Sequence, residues 1–246
     1  MASTDQTITL VTGANQGIGY AIAKKLASEH GHYVIMAGRR SDAIEAAAAS
    51  LRKEDLPVSA VVIDLASDET IDAAVAHVQS KFGRLDVLVN NAGIAHAVLG
   101  AGEGPRSAYE QIVGTNVIGT AAVTEKFLPL LEKSTLIKRI VFVSSGIASL
   151  GVWATPGSMV RKFKAPAYAV SKSGVNALCL QYAAAFDEDK NWKINAGCPG
   201  YCATNLNKYA GTSSPETGAE ILCHLATLDQ DGPTGTFQNA QGVLPW

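Results

Sequence analysis

Short apolar runs alternate along this chain with longer segments that have the periodicity of helices. Nearly continuous apolar runs are typical of strands that are buried on both faces of a sheet. The predicted strands are Ile8–Thr12, Tyr33–Ala37, Val58–Ile63, Val87–Asn90, Ile140–Ser144, Lys193–Ala196 and Thr236–Gln238. The predicted helices are Ile18–Glu29, Asp42–Leu51, Ile71–Phe82, Tyr109–Leu131, Tyr168–Phe186 and Pro215–Leu228.

This alternation predicts an α/β fold with a parallel sheet of about seven strands and helices on both faces. Right-handed crossovers between parallel strands make such a sheet doubly wound, in the Rossmann manner. The chain of 246 residues shows no internal repeat or low-complexity linker, so we expect one domain over residues 1–246. In folds of this kind ligands bind beyond the carboxyl ends of the strands.

Composition and charge exclude several classes of function. The formal net charge is −2, which gives no general electrostatic reason to bind nucleic acid or a membrane surface. No apolar run reaches about 18 residues, and the polar start of the chain does not resemble a signal peptide, so we expect a cytoplasmic protein. The four cysteines make a poor disulfide framework and the five histidines are scattered, so no metal site is expected.

A glycine-rich turn follows the first predicted strand and opens the first helix. It has the spacing GxxxGxG over residues 13–19, which differs from the more common GxGxxG. Glycines let the backbone approach a pyrophosphate closely, and the helix amino terminus offers oriented N–H groups. The candidate cofactor-binding residues of this turn are Gly13, Asn15, Gln16, Gly17, Ile18 and Gly19.

The end of the second predicted strand indicates which dinucleotide is bound. An NAD-binding chain usually places an acid there to bind the ribose 2′-hydroxyl, but this chain has Arg39 and Arg40 after Gly38. A guanidinium suits the 2′-phosphate of NADP(H) by charge and by its planar set of donors. The alternative is an exposed arginine pair that caps the next helix.

Two further turns at strand ends are candidates for cofactor contact. Asp64 and Leu65 follow the third strand, where an acceptor side chain and a backbone group can meet the adenine. Asn91, Ala92 and Gly93 follow the fourth strand, where small residues let a cofactor pass over the sheet edge. Either turn alone would be ordinary loop chemistry.

Four polar residues form a candidate catalytic set. Tyr168 and Lys172 are four residues apart on a predicted helix and therefore share one face. Reduction of a carbonyl needs a proton on oxygen, and a neighbouring ammonium and the positive nicotinamide are both expected to lower the pKa of the Tyr168 phenol. Ser145 can polarise the substrate carbonyl, while Asn116 inside a helix is better explained by a role near Lys172 than by helix propensity.

Each of these residues also has an ordinary structural explanation. Ser145 could simply end a strand and Tyr168 could pack in the core, but their joint occurrence at the correct ends of the correct elements favours catalysis. The set predicts reduction of a small-molecule carbonyl with a nicotinamide cofactor. Alcohol oxidation by the same site, and a protein that senses NADPH without turnover, remain as alternatives.

These motifs resemble those of the short-chain dehydrogenase/reductase family over essentially the whole chain. The matching features are TGxxxGxG at 12–19, NNAG at 90–93, Asn116, the serine pair at 144–145, YxxxK at 168–172, and Pro199-Gly200 with Thr204. The resemblance implies a tetrad of Asn116, Ser145, Tyr168 and Lys172. It also implies that Tyr168 and Lys172 contact the cofactor and that Pro199, Gly200 and Thr204 contact the nicotinamide amide.

The last third of the chain is similar to NADPH-dependent carbonyl reductases. The similarity lies in the segment 198–201, the segment 214–219, Gly235-Thr236-Phe237 and Trp246. It implies reduction of a ketone, aldehyde or quinone by NADPH. In carbonyl reductases a long insertion before the catalytic tyrosine prevents helix pairing between subunits; the insertion here is of intermediate length, so monomer and homo-oligomer both remain open.

Three segments are predicted to form the substrate pocket, at 95–107, 147–165 and 201–212. Trp153, Met159, Phe163 and Tyr201 could form an apolar wall for an aromatic substrate, or could pack the loops on themselves. The second segment also carries a basic group. This group is either a solvated rim or a lid that favours anionic substrates, and its members are Arg161, Lys162 and Lys164.

Overall fold

The computed structural model of this protein describes residues 6–96 and 104–246. The strands are β1 (Ile8–Thr12), β2 (Tyr33–Gly38), β3 (Val58–Val62), β4 (Val87–Asn90), β5 (Lys138–Val143), β6 (Trp192–Gly197), β7 (Phe237–Asn239) and β8 (Gly242–Val243). The helices are α1 (Gly17–Glu29), α2 (Ser41–Arg52), α3 (Asp68–Phe82), α4 (Pro105–Val113), α5 (Thr120–Glu132), α6 (Leu150–Ala154), α7 (Pro166–Ala185) and α8 (Pro215–Ala226).

The strands form one sheet in the order β3-β2-β1-β4-β5-β6-β7-β8. Pairing is parallel from β3 to β7, so the order reverses between β1 and β4 as the doubly wound prediction requires. The prediction of about seven strands missed β8, which pairs antiparallel with β7. A two-residue exposed strand has no apolar pattern by which sequence could reveal it.

The core lies on both faces of the sheet, and successive residues of each strand point to opposite faces. Ile140 and Phe142 of β5 belong to the layer that packs under α3, α5 and α7. Val141 and Val143 of the same strand belong to the layer under α1, α2 and α8. Because both faces are covered, consecutive positions such as Ile140–Val143 are apolar, which explains why the runs look nearly continuous in sequence.

The predicted helix Tyr109–Leu131 is interrupted. α4 ends at Val113, a π-helical turn covers Gly114–Gly119, and α5 continues from Thr120. Such a turn adds a residue to the helical repeat, and π-turns occur frequently at functional sites. Asn116 lies inside this turn.

The segment between β5 and α7 holds more structure than a loop. It contains the short helix α6 and a 3₁₀ turn at Met159–Lys162. Residues 97–103 of the predicted loop 95–107 lie outside the described residues. Within the two described ranges, no helix has both the length and the apolarity needed to cross a membrane.

His32 is a buried titratable group at the amino edge of the sheet. Its Nδ1 is hydrogen-bonded to Thr9 Oγ1 at 2.8 Å. Burial lowers the pKa of His32 to about 4, and the positive charge of Arg139 acts in the same direction. The folded protein therefore holds a neutral imidazole that the unfolded chain would protonate below about pH 6.5.

We predict that His32 makes the fold acid-sensitive. Since the pKa of His32 is lower in the folded state, its contribution is complete above about pH 6.5 and is lost as the pH falls toward about 4, by on the order of 2 kcal/mol. Urea unfolding of wild type and His32→Gln at pH 7 and pH 4.5 measures the effect. The difference in unfolding free energy between the two proteins should shrink at low pH, and an unchanged difference would contradict the assignment.

Candidate active site

The candidate residues meet at the carboxyl edge of four neighbouring strands. β1 pairs with β4, β4 with β5 and β5 with β6. Their ends therefore bring the glycine-rich turn, the turn 91–93, the serine pair and the segment that begins at Cys198 side by side. The sequence-predicted site is one continuous region, as expected for a parallel sheet.

The glycine-rich turn is held close to the backbone of its neighbours. Gly13 has a φ of 66°, and a Cβ at this residue would lie 3.0 Å from Ala92 Cα. A Cβ at Gly19 would collide with the Asn91 amide and with the Gly13 carbonyl. The turn can therefore present bare backbone to a ligand, as a pyrophosphate requires.

The remaining residues of the glycine-rich turn, here called the cradle, are more exposed to solvent. Asn15 and Ile18 are partly exposed and Gln16 is exposed, immediately before or within the first turn of α1. No side chain caps the start of α1. Its first N–H groups are thus left to meet another acceptor.

Asn91 and Thr12 hold the glycine-rich turn in place by hydrogen bonds. Asn91 Nδ2 donates to the carbonyl of Thr12 at 2.8 Å, and its backbone N–H donates to Thr12 Oγ1 at 3.0 Å. Thr12 Oγ1 also accepts from the N–H of Ala92 at 3.0 Å and donates to the carbonyl of Val89 at 3.3 Å. Sequence reasoning assigned no role to Thr12, although its place beside the first glycine was a signal.

Arg39 and Arg40 are exposed at the carboxyl end of β2. Ala14 of the glycine-rich turn donates its N–H to the carbonyl of Ala37 at 2.9 Å. Arg39 follows Ala37 by two residues, so the arginine pair begins close to this turn. Arg40 is the N-cap residue of α2, but its side chain makes no capping bond. Neither arginine forms an ion pair within the described ranges, which leaves both charges available to an anion.

Asp64 and Leu65 mainly organise their own turn. Asp64 Oδ1 accepts from the N–H of Ala66 at 3.0 Å. Leu65 packs directly against Gly119 of the π-helical turn, where a Cβ would lie 2.7 Å from Leu65 Cβ. The end of β3 is thereby connected to the element that carries Asn116.

Lys172 is a buried ammonium group, with 5% of its surface exposed. Its Nζ donates to the carbonyl of Val143 at 2.7 Å and lies 5.8 Å from the centre of the Tyr168 ring. Burial lowers the pKa of Lys172 to about 8, against a smaller opposing effect of Cys198. The amine is thus charged at neutral pH but close to its titration range.

Asn116 ties the turn after β4 to α7. Its Oδ1 accepts from the N–H of Ile94 at 2.8 Å, and its Nδ2 donates to the carbonyl of Ile94 at 2.8 Å and to Ser171 Oγ at 2.9 Å. A Cβ at Gly93 would lie 3.1 Å from Asn116 Oδ1 and 3.6 Å from Lys172 Nζ. Asn116 and Lys172 therefore converge on the same glycine.

Tyr168 lies one helical turn before Lys172 and is partly buried. The sequence predicts a lowered pKa for its phenol beside Lys172 and a bound nicotinamide, and the protein by itself shows the opposite direction. Burial raises the pKa of Tyr168 well above its ordinary value, and the neighbouring Cys198 acts in the same direction. Desolvation of the phenolate is the larger of these two causes.

Ser145 follows a strand end that is fixed on two sides. The N–H of Ser144 donates to the carbonyl of Gly197 at 2.8 Å, and Ser144 Oγ donates to Asn176 Oδ1 at 2.5 Å. On the other side, the N–H of Gly146 donates to Cys198 Sγ at 3.1 Å. The sequence analysis assigned no catalytic role to Cys198 or to Asn176, although Asn176 shares the face of Tyr168 and Lys172 on α7.

The segment after β6 reaches across to the glycine-rich turn. A Cβ at Gly17 would lie 3.4 Å from Thr204 Cγ2. Pro199 and Gly200 lead from the end of β6 to this contact, and the carbonyl of Pro199 accepts from Cys202 Sγ at 3.2 Å. Thr204 is therefore placed over the cradle that the glycines leave open.

Trp153 does not face this region. Its Nε1 donates to the carbonyl of Ile147 at 2.7 Å, and it shares a shallow apolar cavity with Pro166 and Val170. These α7 residues lie on a different face from Tyr168 and Lys172. Of the two readings of Trp153, packing of the loop on itself agrees with the structure.

The described residues contain no group of three or more His, Cys, Asp or Glu side chains that could hold a metal ion. All four cysteines are buried and unpaired.

Comparison with known proteins identifies the family to which these features belong. The family model described as short chain dehydrogenase matches residues 7–214. A short-chain dehydrogenase of Penicillium roqueforti, anuI, is 36% identical over 236 residues, which cover 92% of this chain and 91% of that protein. Carbonyl reductase 1 (NADPH) of Rattus norvegicus is 30% identical over 280 residues, with coverage of 99% and 100%. Salutaridine reductase of Papaver somniferum has a similar structure, with a TM-score of 0.79, 26% identity and coverage of 94% and 99%.

We predict that Thr12→Val destabilises the protein by weakening the glycine-rich turn. The substitution preserves shape but leaves the partly buried N–H of Ala92 without its acceptor and removes one of the two acceptors of the Asn91 N–H, which also donates to the carbonyl of Val89. We expect a cost of about 1 to 3 kcal/mol of unfolding free energy. Urea denaturation measures the loss, with Thr227→Val as a control whose hydroxyl bonds only to carbonyls at the end of α8. Equal stabilities of the two variants would show that the Thr12 hydroxyl does not brace the turn.

Proposed function

Because this chain belongs to the short-chain dehydrogenase family, and is therefore an oxidoreductase, we propose that it reduces a ketone, aldehyde or quinone to the alcohol with NADPH. The single observation that carries the proposal is the convergence of Asn116 and Lys172 on Gly93, with Tyr168 one helical turn away. A buried amine, an amide and a phenol at one strand edge suit proton delivery to a carbonyl oxygen. The name of the Rattus norvegicus relative supports both the cofactor and the reaction class.

The residues at the sheet edge fit a dinucleotide. NADPH, when bound, supplies the hydride that reaches the carbonyl carbon. The bare cradle of Gly13, Gly17 and Gly19 is suited to the pyrophosphate, and Arg39 with Arg40 to the 2′-phosphate. Other residues proposed to line the cofactor are Asn15, Gln16, Ile18, Asp64, Leu65, Asn91, Ala92, Gly93, Tyr168, Lys172, Pro199, Gly200 and Thr204.

Tyr168 is proposed as the proton donor. Because burial raises the pKa of its phenol, the hydroxyl keeps its proton at neutral pH until an oxygen that needs one is adjacent. Lys172 then stabilises the phenolate that remains, since a cation is worth more in a desolvated site than in water. The carbonyl of Val143 holds the amine in place for this role.

Ser145 is proposed to bind the substrate oxygen, and Asn116 to position the others. Ser145 follows an end of β5 that Ser144 and Cys198 hold fixed, which pre-orients its hydroxyl for the reaction. Asn116 uses both polar atoms of its amide to join the turn after β4 to α7, so it keeps Lys172 and Tyr168 at the sheet edge. We further propose that residues 1–246 act as one domain, with substrate loops at 95–107, 147–165 and 201–212.

We predict that Tyr168→Phe reduces kcat at least 100-fold, because the general acid is removed while the shape of the ring is preserved. NADPH oxidation, followed by absorbance with a panel of carbonyls, measures turnover, and fluorescence titration measures NADPH binding, which should persist. Tyr33→Phe, in β2 away from the site, is the matched control. Full turnover by Tyr168→Phe would refute the assignment of the acid.

We predict that Arg39→Ala weakens NADPH about tenfold or more and leaves NADH nearly unchanged, because only NADPH carries the phosphate that the guanidinium meets. Dissociation constants of both cofactors for wild type and variant measure the difference. Lys53→Ala, which removes an exposed cation at the far end of α2, serves as the control. Equal weakening of both cofactors by Arg39→Ala would exclude the phosphate role.

A further inference from the structure

We propose that the carbonyl substrate is aromatic and carries an anionic group, which a cationic rim at the mouth of the site recognises. The rim consists of Arg161, Lys162, Phe163, Lys164 and Tyr201. This inference rests on the proposed function and names the substrate class for the same site. The sequence left two interpretations of Arg161, Lys162 and Lys164, a solvated rim or a lid that favours anionic substrates. The proposal selects the second.

The segments on both sides of the mouth carry positive charge and no negative charge. No Asp or Glu occurs between Glu132 and Asp187, or between Asp189 and Glu216. The first of these stretches contains the basic group, and the second contains Lys208 as its sole charged residue after β6. In a chain whose formal charge is −2, this is a local excess of cations and not a reflection of overall composition.

The rim cations are not neutralised by the protein itself. Arg161, Lys162 and Lys164 are exposed and form no ion pair with any Asp or Glu of the described residues. Elsewhere on the surface, Lys24 pairs with Glu54 and Lys126 pairs with Asp72. A group of like charges without counter-charges raises the local concentration of anions.

An aromatic pair joins the two segments of the rim. The rings of Phe163 and Tyr201 meet edge to face, with centroids 6.3 Å apart and planes at 66°. Phe163 is 48% exposed and Tyr201 is 45% exposed, so both rings keep free surface. Exposed ring surface beside cations suits a planar aromatic ligand with a carboxylate or phenolate substituent.

Chain connectivity places the rim beside the reacting groups. Tyr201 comes three residues after Cys198, whose Sγ is 3.1 Å from the N–H of Gly146, next to Ser145. Phe163 comes five residues before Tyr168. A chain spans at most about 3.5 Å per residue, so Tyr201 lies within roughly 10 Å of Cys198, Phe163 within roughly 18 Å of Tyr168, and Arg161 within roughly 25 Å of Tyr168. These limits suit a substrate with the length of an aromatic ketone or of a small polycyclic one.

The test compares an anionic and a neutral aldehyde built on the same aromatic ring, 4-formylbenzoate and its methyl ester, in the presence of NADPH. Each exposed pair contributes a few-fold, so wild type should favour the carboxylate by about tenfold in kcat/KM. Sodium chloride should raise KM for the carboxylate alone, because salt screens exposed charges. In a triple variant, Arg161→Gln with Lys162→Gln and Lys164→Gln, the preference should fall below about threefold.

The matched control is Lys53→Gln with Lys133→Gln and Lys190→Gln, which removes three exposed cations that precede β3, β5 and β6 at the opposite edge of the sheet. This control should keep the wild-type preference. If both aldehydes are reduced in a Tyr168-dependent manner with equal kcat/KM, the rim proposal is wrong while the proposed function stands. If neither aldehyde is reduced, the proposed function loses support, and calorimetry then measures the binding of both aldehydes to the NADPH-saturated protein. Equal or absent binding refutes the rim proposal. Tighter binding of the carboxylate, lost in the triple variant, supports it.

Discussion

The arrangement of the site depends on the burial of one ammonium group. Lys172 has almost no contact with solvent, and an amine removed from water is tolerated only where carbonyl dipoles replace the lost hydration. The Val143 carbonyl at the end of β5 supplies that replacement. Space for the amine exists because residue 93 has no side chain, and the Asn116 amide closes the same space from the π-helical turn. The strand end, the glycine and the distorted helix are thus consequences of placing a cation beside a phenol.

Much of this arrangement could be predicted from the sequence because it is encoded locally. Strands buried on both faces are continuous apolar runs, and the motifs fall directly after them, so the order of the runs predicts both the sheet and the edge where the motifs meet. The π-helical turn could not be predicted, since Gly114–Gly119 has the same periodicity as the helices around it and differs only in hydrogen-bond register. The raised pKa of Tyr168 also escaped prediction, because desolvation depends on what packs around the ring and not on the spacing of Tyr168 and Lys172.

The two sides of the cleft are built on different principles. The side proposed for the cofactor is a hydrogen-bonded network in which Thr12 and Asn91 satisfy backbone groups, so loss of the Thr12 hydroxyl leaves the N–H of Ala92 unpaired. The side proposed for the substrate is made of connecting segments, α6 and a 3₁₀ turn, which expose Leu150, Met159 and the basic residues. Positive charge occurs on both sides, with Arg39 and Arg40 at one end and the rim at the other. A site of this form suits two anionic ligands, NADPH and the substrate, whose charged groups lie at opposite ends and whose reacting groups meet between them.

We propose above that this edge of the sheet transfers reducing equivalents from NADPH to a carbonyl. The most direct test incubates purified protein with NADPH and a panel of aromatic aldehydes, ketones and quinones, and quantifies both the NADPH oxidised and the alcohol formed by mass spectrometry. We expect equal amounts of oxidised NADPH and of alcohol for at least one aromatic carbonyl. Tight binding of NADPH with no alcohol from any member of the panel would contradict it.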